Sequence, residues 1–166
     1  MRRIYRTAAC ALLGLSWLSL ADFGRAQEWT RFRGPDGVGA LENVSLPAQI
    51  SEADINWRTE LPGKGHSSPV LWGDRIFLQS GDPQSAERYL LCIDAKTGNL
   101  LWRRDFDSST SPLHGRNSYG TSTATVDEER VYFSWASPRS LMLIALTHDG
   151  KDVWSRDFGE HKSEHG

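Results

Sequence analysis

Four groups of residues in this 166-residue chain have types and spacings that could do chemistry. The stretch HKSEH, residues 161–165, sets two imidazoles and a carboxylate at the H-x-x-E-H spacing used to hold zinc. That spacing works on a helix, which would bring His161 and His165 onto one face. Here it follows the strand-like run VWSRDF, so it reads better as the approach to a further strand. His66 stands before Ser67 and Ser68, an imidazole beside two hydroxyls, as nucleophilic catalysis would need. No G-x-S-x-G turn frames these serines, and they read as caps at the entry to a strand. Glu60, Asp105 and Asp157 could act as paired carboxylates in proton transfer. They alternate with Arg58, Arg103 and Arg156, the pattern of a solvated outer strand that resists edge-to-edge pairing. The fourth group is IDAKTGNLLW, residues 93–102, which places an acid, a Thr-Gly pair and a tryptophan within ten positions.

The elements that must hold these groups come from a repeat. WRTEL at Trp57, WRRDF at Trp102 and WSRDF at Trp154 share a pattern, with tryptophans 45 and 52 residues apart. Between them the same pieces recur in order. An inner apolar run (SSPVLW, then TSTATV) leads through a polar turn to a second run (RIFLQS, then RVYFSW). A third run follows (YLLCIDA, then LMLIALT), and a glycine-bearing turn leads to the tryptophan run. The runs are rich in Val, Ile, Leu, Tyr, Phe and Thr and are bounded by Gly, Asp or Pro, which is strand composition. Several are apolar on both faces, as suits a sheet covered on both sides. Four strands per 45–52 residues is the unit of a β-propeller blade. The fold expected is therefore all-β, a propeller of four-stranded antiparallel blades. Blades are expected at about residues 66–106 and 117–158, within a repeat region spanning 55–166 after a lead-in segment, 27–54. Residues 55–61 are expected to supply the last strand of an earlier unit. Two blades cannot close a ring that needs roughly four to eight. The chain thus reads as the N-terminal part of a larger propeller whose other blades lie in missing sequence; self-association is the alternative.

Residues 1–26 stand apart. Arg2, Arg3 and Arg6 precede the apolar run AACALLGLSWLSLA, and small residues at Gly24 and Ala26 mark a cleavage site near Ala26. This is the pattern of a secretory signal peptide, and the apolar run is too short to span a bilayer. The expected location is periplasmic or secreted. Without these residues, which hold four Arg and one Asp, the chain keeps 15 basic and 20 acidic residues, a net charge of −5. No basic stripe appears, so nucleic acid is not an expected partner. The one remaining cysteine, Cys92, excludes an internal disulfide and sits in the apolar run YLLCI, where a buried small hydrophobe is expected. The triplet NVS at Asn43 has the form of a glycosylation site, which the bacterial look of the chain argues against.

CIDAKTGNLLW, residues 92–102, resembles the tryptophan-docking repeat of the pyrroloquinoline-quinone (PQQ) quinoprotein dehydrogenases, roughly A-x-D-x-x-T-G-x-x-x-W. Asp94, Thr97, Gly98 and Trp102 meet it, with Cys92 in the alanine place. The second copy, ALTHDGKDVW, keeps Ala145, Gly150 and Trp154, carries Thr147 in the aspartate place and is one residue shorter. WTRFRGPDGVGA, residues 29–40, resembles the opening of secreted bacterial PQQ-like propeller proteins, and GKGHSSPVLWGDRIF and NSYGTSTATVDEERVYF resemble their inner strands. The resemblance covers nearly all of residues 28–166. The same repeat builds the BamB outer-membrane assembly lipoproteins, which are not enzymes. The resemblance therefore implies a fold and not a reaction.

In that motif Gly98 suits a tight turn that requires positive φ, and Asp94 and Thr97 suit hydrogen bonds to amides within it. Trp57, Trp102 and Trp154 would each offer a flat face to the neighbouring blade, with Gly150 repeating the part of Gly98. These are structural roles; no catalytic, cofactor-binding or metal residue is assigned. His66, His114 and Asn117 are the residues expected to line a central channel. The variable loops 81–88 and 107–117 are polar and turn-rich, as binding loops are. The expectation is a non-catalytic binding or scaffold module that meets a protein or polysaccharide through loops or blade edges. The alternative is part of a PQQ-dependent alcohol or sugar dehydrogenase, for which the resemblance implies PQQ and calcium. This chain has no adjacent cysteine pair of the kind many of those enzymes carry. A second alternative is a non-functional fragment with exposed apolar blade faces.

Overall fold

The structure, a computed structural model, describes residues 28–160 apart from 42, 43, 45 and 46. The expected signal segment 1–26, Asn43 and the HKSEH stretch lie outside the described residues. Eight strands form two four-stranded antiparallel sheets with simple up-and-down order. The first sheet holds β1 (Val70–Trp72), β2 (Arg75–Gly81), β3 (Arg88–Asp94) and β4 (Leu100–Phe106). The second holds β5 (Thr125–Val126), β6 (Arg130–Ser137), β7 (Ser140–Thr147) and β8 (Asp152–Asp157). Each sheet is a propeller blade, with its shortest strand innermost and its tryptophan strand outermost.

Several expected strands differ from what the residues form. TSTATV contributes only the two residues of β5, and SSPVLW only the three of β1. Gly81 and Arg88 end β2 and begin β3, although both fall inside the variable loop read from sequence. Residues 55–61 are not a strand: among the described residues no neighbouring strand lies alongside for their backbone to pair with. A 3-10 turn at Glu52–Asp54 precedes them, closed by the Asp54 carboxylate on Ser51.

The sheets pack through one shared core. Phe77, Leu90 and Cys92 of the first sheet meet Val131, Phe133 and Ile144 of the second, and all six are at most 3 % exposed. Alternation along β3 sends Leu91 and Ile93 to the opposite face, where Leu78 and Tyr89 join them and Trp57 closes over the cluster. The lead-in segment stitches the inner strands together. Trp29 bridges Leu71, and the Thr30 carbonyl accepts from the Val126 amide.

Two tryptophans hold neighbouring layers in the same way. Trp57 Nε1 donates to the Ala95 carbonyl at 3.0 Å and lies on Gly98. Trp102 Nε1 donates to the His148 carbonyl at 2.8 Å and lies on Gly150. The residue two places on repeats the match: the Thr59 hydroxyl donates to the Gly98 carbonyl, and Arg104 donates to the Gly150 carbonyl at 2.6 Å and to both Asp152 oxygens. Both glycines need left-handed φ, +74° and +77°, and neither has room for a side chain under its indole. Inside the first turn, Asp94 Oδ1 accepts from the Thr97 amide, the Thr97 hydroxyl and the Lys96 amide. The Thr97 bonds, its amide first, hold the Asp94 carboxyl below the usual carboxylate range. In the second turn Thr147 stands in the place of Asp94, and its hydroxyl accepts from the Lys151 amide.

Burying roughly 200 Å² of indole at about 25 cal/mol/Å² is an upper bound of about 5 kcal/mol per docked tryptophan. Trp102→Ala is therefore expected to destabilise the protein by about 3–5 kcal/mol in denaturant melts, and a loss below about 1 kcal/mol would refute the docking role. The glycines separate backbone strain from contact. Gly73 also has positive φ, +56°, but a Cβ there would meet nothing within 4 Å, whereas a Cβ on Gly98 would sit 2.5 Å from the Trp57 ring. Gly73→Ala should cost about 1 kcal/mol and Gly98→Ala about 3 kcal/mol; equal losses would show that strain alone decides.

Candidate functional site

The two ends of the sheets differ. At one end lie the tight turns at Gly73–Asp74 and 95–99, tied together by the Ala95 amide on the Asp74 carbonyl and by the Lys96–Asp74 ion pair. At the other end lie the segment 62–69, the β2–β3 loop, the long connection 107–124 and the β6–β7 turn. Loops gathered at one end of a rigid sheet are where binding residues concentrate.

The structure brings two of the three expected channel residues into one network there. The His66 ring and the Ser118 hydroxyl lie 2.9 Å apart, and the His66 and Ser67 amides both donate to the Gly120 carbonyl. Asn117 Oδ1 accepts from the Ser118 amide and the Thr121 hydroxyl. His114 is placed differently: its Nδ1 accepts from the Arg116 amide and its carbonyl from the Asn117 amide, so it shapes the loop from an exposed position. Ser67 and Ser68 serve the backbone. The Ser67 hydroxyl accepts from the Gln79 amide, and the Ser68 amide donates to Thr123.

The long connection is held by its own side chains. The Tyr119 hydroxyl donates to the Ser111 carbonyl at 2.9 Å and accepts from the Ser111 amide at 3.0 Å, pinning the loop across eight residues. Beneath it is a cleft of about 190 Å³, lined among others by Arg88, Asn117, Ser118, Thr121, Ser122 and Trp135. A second cleft of about 270 Å³ adjoins Trp135 from the side of Phe106 and Arg139.

Arg88 is the residue that sequence reasoning missed. Its side chain is buried at 2 % exposure and crosses between the sheets, donating to the Ala86 and Ala136 carbonyls at 2.7 and 3.0 Å. Its guanidinium lies 4.7 Å from the centre of the Tyr119 ring. Burial lowers its pKa to about 10, so it stays cationic at neutral pH. The available signal was its repeat position. Cys92 pairs with Trp102 and Ala145 with Trp154, so Arg88 and Leu141 occupy matching places four residues earlier. A charge where the other copy has leucine marks a departure from the repeat.

The remaining candidates are placed as follows. Arg103 binds Asp105 and covers the Tyr89 ring at 3.9 Å, while Arg58 pairs with Glu52 and Arg156 and Asp157 are exposed. Trp154 lies tilted against Tyr132 at 6.0 Å, and among the described residues no glycine turn packs on it. Among the described residues no three His, Cys, Asp or Glu side chains come together as metal ligands. No helix among them is long and apolar enough to cross a membrane.

Cys92 is fully buried, and burial pushes its thiol pKa up to about 12. The thiolate is thus absent at neutral and mildly alkaline pH. Cys92 of the native protein is expected to resist an aromatic disulfide reagent near pH 8 and to react with it after denaturation. Rapid labelling of the folded protein would refute this burial.

One family model matches residues 46–165, and its description is outer membrane protein assembly factor BamB. No curated protein matches the chain.

Proposed function

The chain belongs to the BamB-like family of PQQ-repeat proteins, and on that premise we propose that it is an exported, non-catalytic binding module that holds a protein or polysaccharide partner through the loops at one end of its blades. The observation that carries this reading is the pre-organised cleft under the 107–124 connection. Its lining is hydroxyl, amide and aromatic, with one guanidinium and the aliphatic Leu113 and Ala136, and its shape is maintained by the Tyr119–Ser111 bonds and the His66–Ser118–Asn117–Thr121 network. Such a site binds without first ordering its own loops, which removes part of the entropic cost of association. The arginine-rich, apolar start of the chain and the family's description both support export.

Two features argue for binding over oxidation. The polar groups of the cleft are neutral apart from Arg88, so no carboxylate stands there to take a proton from an alcohol. The only cysteine after residue 26 is sealed in the core.

The test is retention of the whole chain on insoluble cellulose, starch, peptidoglycan and an insoluble uronic-acid polysaccharide, with surface-immobilised outer-membrane β-barrel proteins alongside. Saturable binding is expected on at least one of them. Thr121→Trp, which places an indole at an exposed residue of the cleft lining, should weaken it by roughly tenfold or more. No retention on any of these surfaces would overturn the reading, as would dye-linked oxidation of alcohols or sugars on adding PQQ and calcium.

A further inference from the structure

Among the described residues Arg88 is a buried cation without an anion. None of the ion pairs among the described residues includes it. Two carbonyls take one donor each from its terminal nitrogens, and its Nε is buried with no partner. A guanidinium has five N–H donors in a planar fork that matches a carboxylate. Enclosing it without a counter-charge is costly, and the Tyr119 ring offsets only part of that cost.

The fold does not require this charge. Leu141 occupies the matching register in the second blade. A second incomplete group lies beside it. Gln79 pairs with Leu90, and Gly81, two residues along the same face, pairs with Arg88. The Gln79 side chain is buried at 1 % exposure with neither amide atom partnered. Roughly 90% or more of buried polar groups find a partner, so two incomplete ones on a single face are a departure, and of the two Arg88 is the one that lines the cleft.

The surroundings of Arg88 select the kind of anion. Lining the cleft with it are the hydroxyl-bearing Ser111, Ser118, Thr121 and Ser122 and the amide-bearing Asn117, with Trp135 as an apolar wall. Uncharged donors and acceptors in this number complement a ring of ligand hydroxyls, which an aspartate or glutamate side chain does not offer. At about 190 Å³ the cleft falls below the ~300–1,000 Å³ of sites for drug-sized ligands, so it suits a single residue of a chain.

We propose that this cleft binds a uronic-acid residue of an acidic polysaccharide, with Arg88 receiving the carboxylate and the surrounding hydroxyls and amide receiving the sugar. The inference rests on the binding-module reading and names the ligand class of the same site.

Calorimetric titration of the whole chain at neutral pH tests it, using D-glucuronate and trigalacturonate against glucose, acetate and a triglutamate peptide. Both uronates should bind, and glucose, acetate and the peptide should each bind roughly tenfold more weakly or worse, since charge-assisted and neutral contacts both contribute. Arg88→Leu, the residue the other blade already carries at this place, should weaken uronate binding by roughly tenfold or more. Should that variant fail to fold, the Arg88 Nε–H signal of the unaltered protein replaces it: glucuronate should shift it and glucose should not. Uronate binding unchanged by Arg88→Leu, an unmoved Nε–H signal, or acetate or triglutamate binding as tightly as the uronates would each overturn the proposal. The broader reading fails separately. Retention on neutral polysaccharide with no uronate binding leaves the module standing and removes the anion site, whereas loss of all retention removes both.

Discussion

An indole lying on a glycine turn is the contact from which the rest of this structure follows. Trp102 reaches from the outermost strand of the first blade to Gly150 and the His148 carbonyl of the second, and Trp57 meets Gly98 and the Ala95 carbonyl in the same manner. The contact is specific because it combines three demands. The turn must adopt left-handed φ, the approach excludes a Cβ, and the indole N–H must find a carbonyl while its faces are buried. Once the outer strands are fixed so, the inner faces are pressed into one core around Phe77, Leu90 and Phe133. Arg104, aimed at Gly150 and Asp152, and Arg75, paired with Asp149, add charge contacts across the same seam.

This arrangement divides the molecule between its two ends. The turns that receive the tryptophans are short and closed by Asp94 and Thr147, which leaves little freedom for recognition. The opposite end carries the long connection, whose polar side chains satisfy one another and leave a cleft between the blades. Arg88 belongs to both functions of that end. One of its terminal nitrogens ties β3 to β6 through the Ala136 carbonyl, the other holds the Ala86 carbonyl, and its Nε remains for something else.

The architecture was legible in the sequence because it repeats. Strand-forming runs recur in a fixed order, and the motif at Asp94–Trp102 returns, weakened, at Thr147–Trp154. The family match over residues 46–165 and the two four-stranded sheets agree with that all-β reading. Strand lengths were less legible. TSTATV has strand composition, yet only Thr125 and Val126 pair, because the residues before them bond the crossing backbone around His66 instead. Residues 55–61 have the composition of an outer strand and the docking tryptophan of one, but a strand exists only where a partner backbone lies alongside.

By itself the sequence determined the repeat unit, the strand order and the turn chemistry of Asp94, Thr97 and Gly98, because these depend on local composition and on residues close along the chain. It also determined that Cys92 would be enclosed, since an apolar run central to a two-sided sheet has nowhere else to go. Only the tertiary structure decided the site. His66 and Ser118 are 52 positions apart and Arg88 and Ala136 are 48 apart, and neither separation implies contact. The repeat register sets Arg88 where the other copy has Leu141, but the letters do not distinguish a solvated arginine at the edge of a loop from a buried one. That difference arises when a second blade closes over it and takes away the water that would otherwise have been its partner.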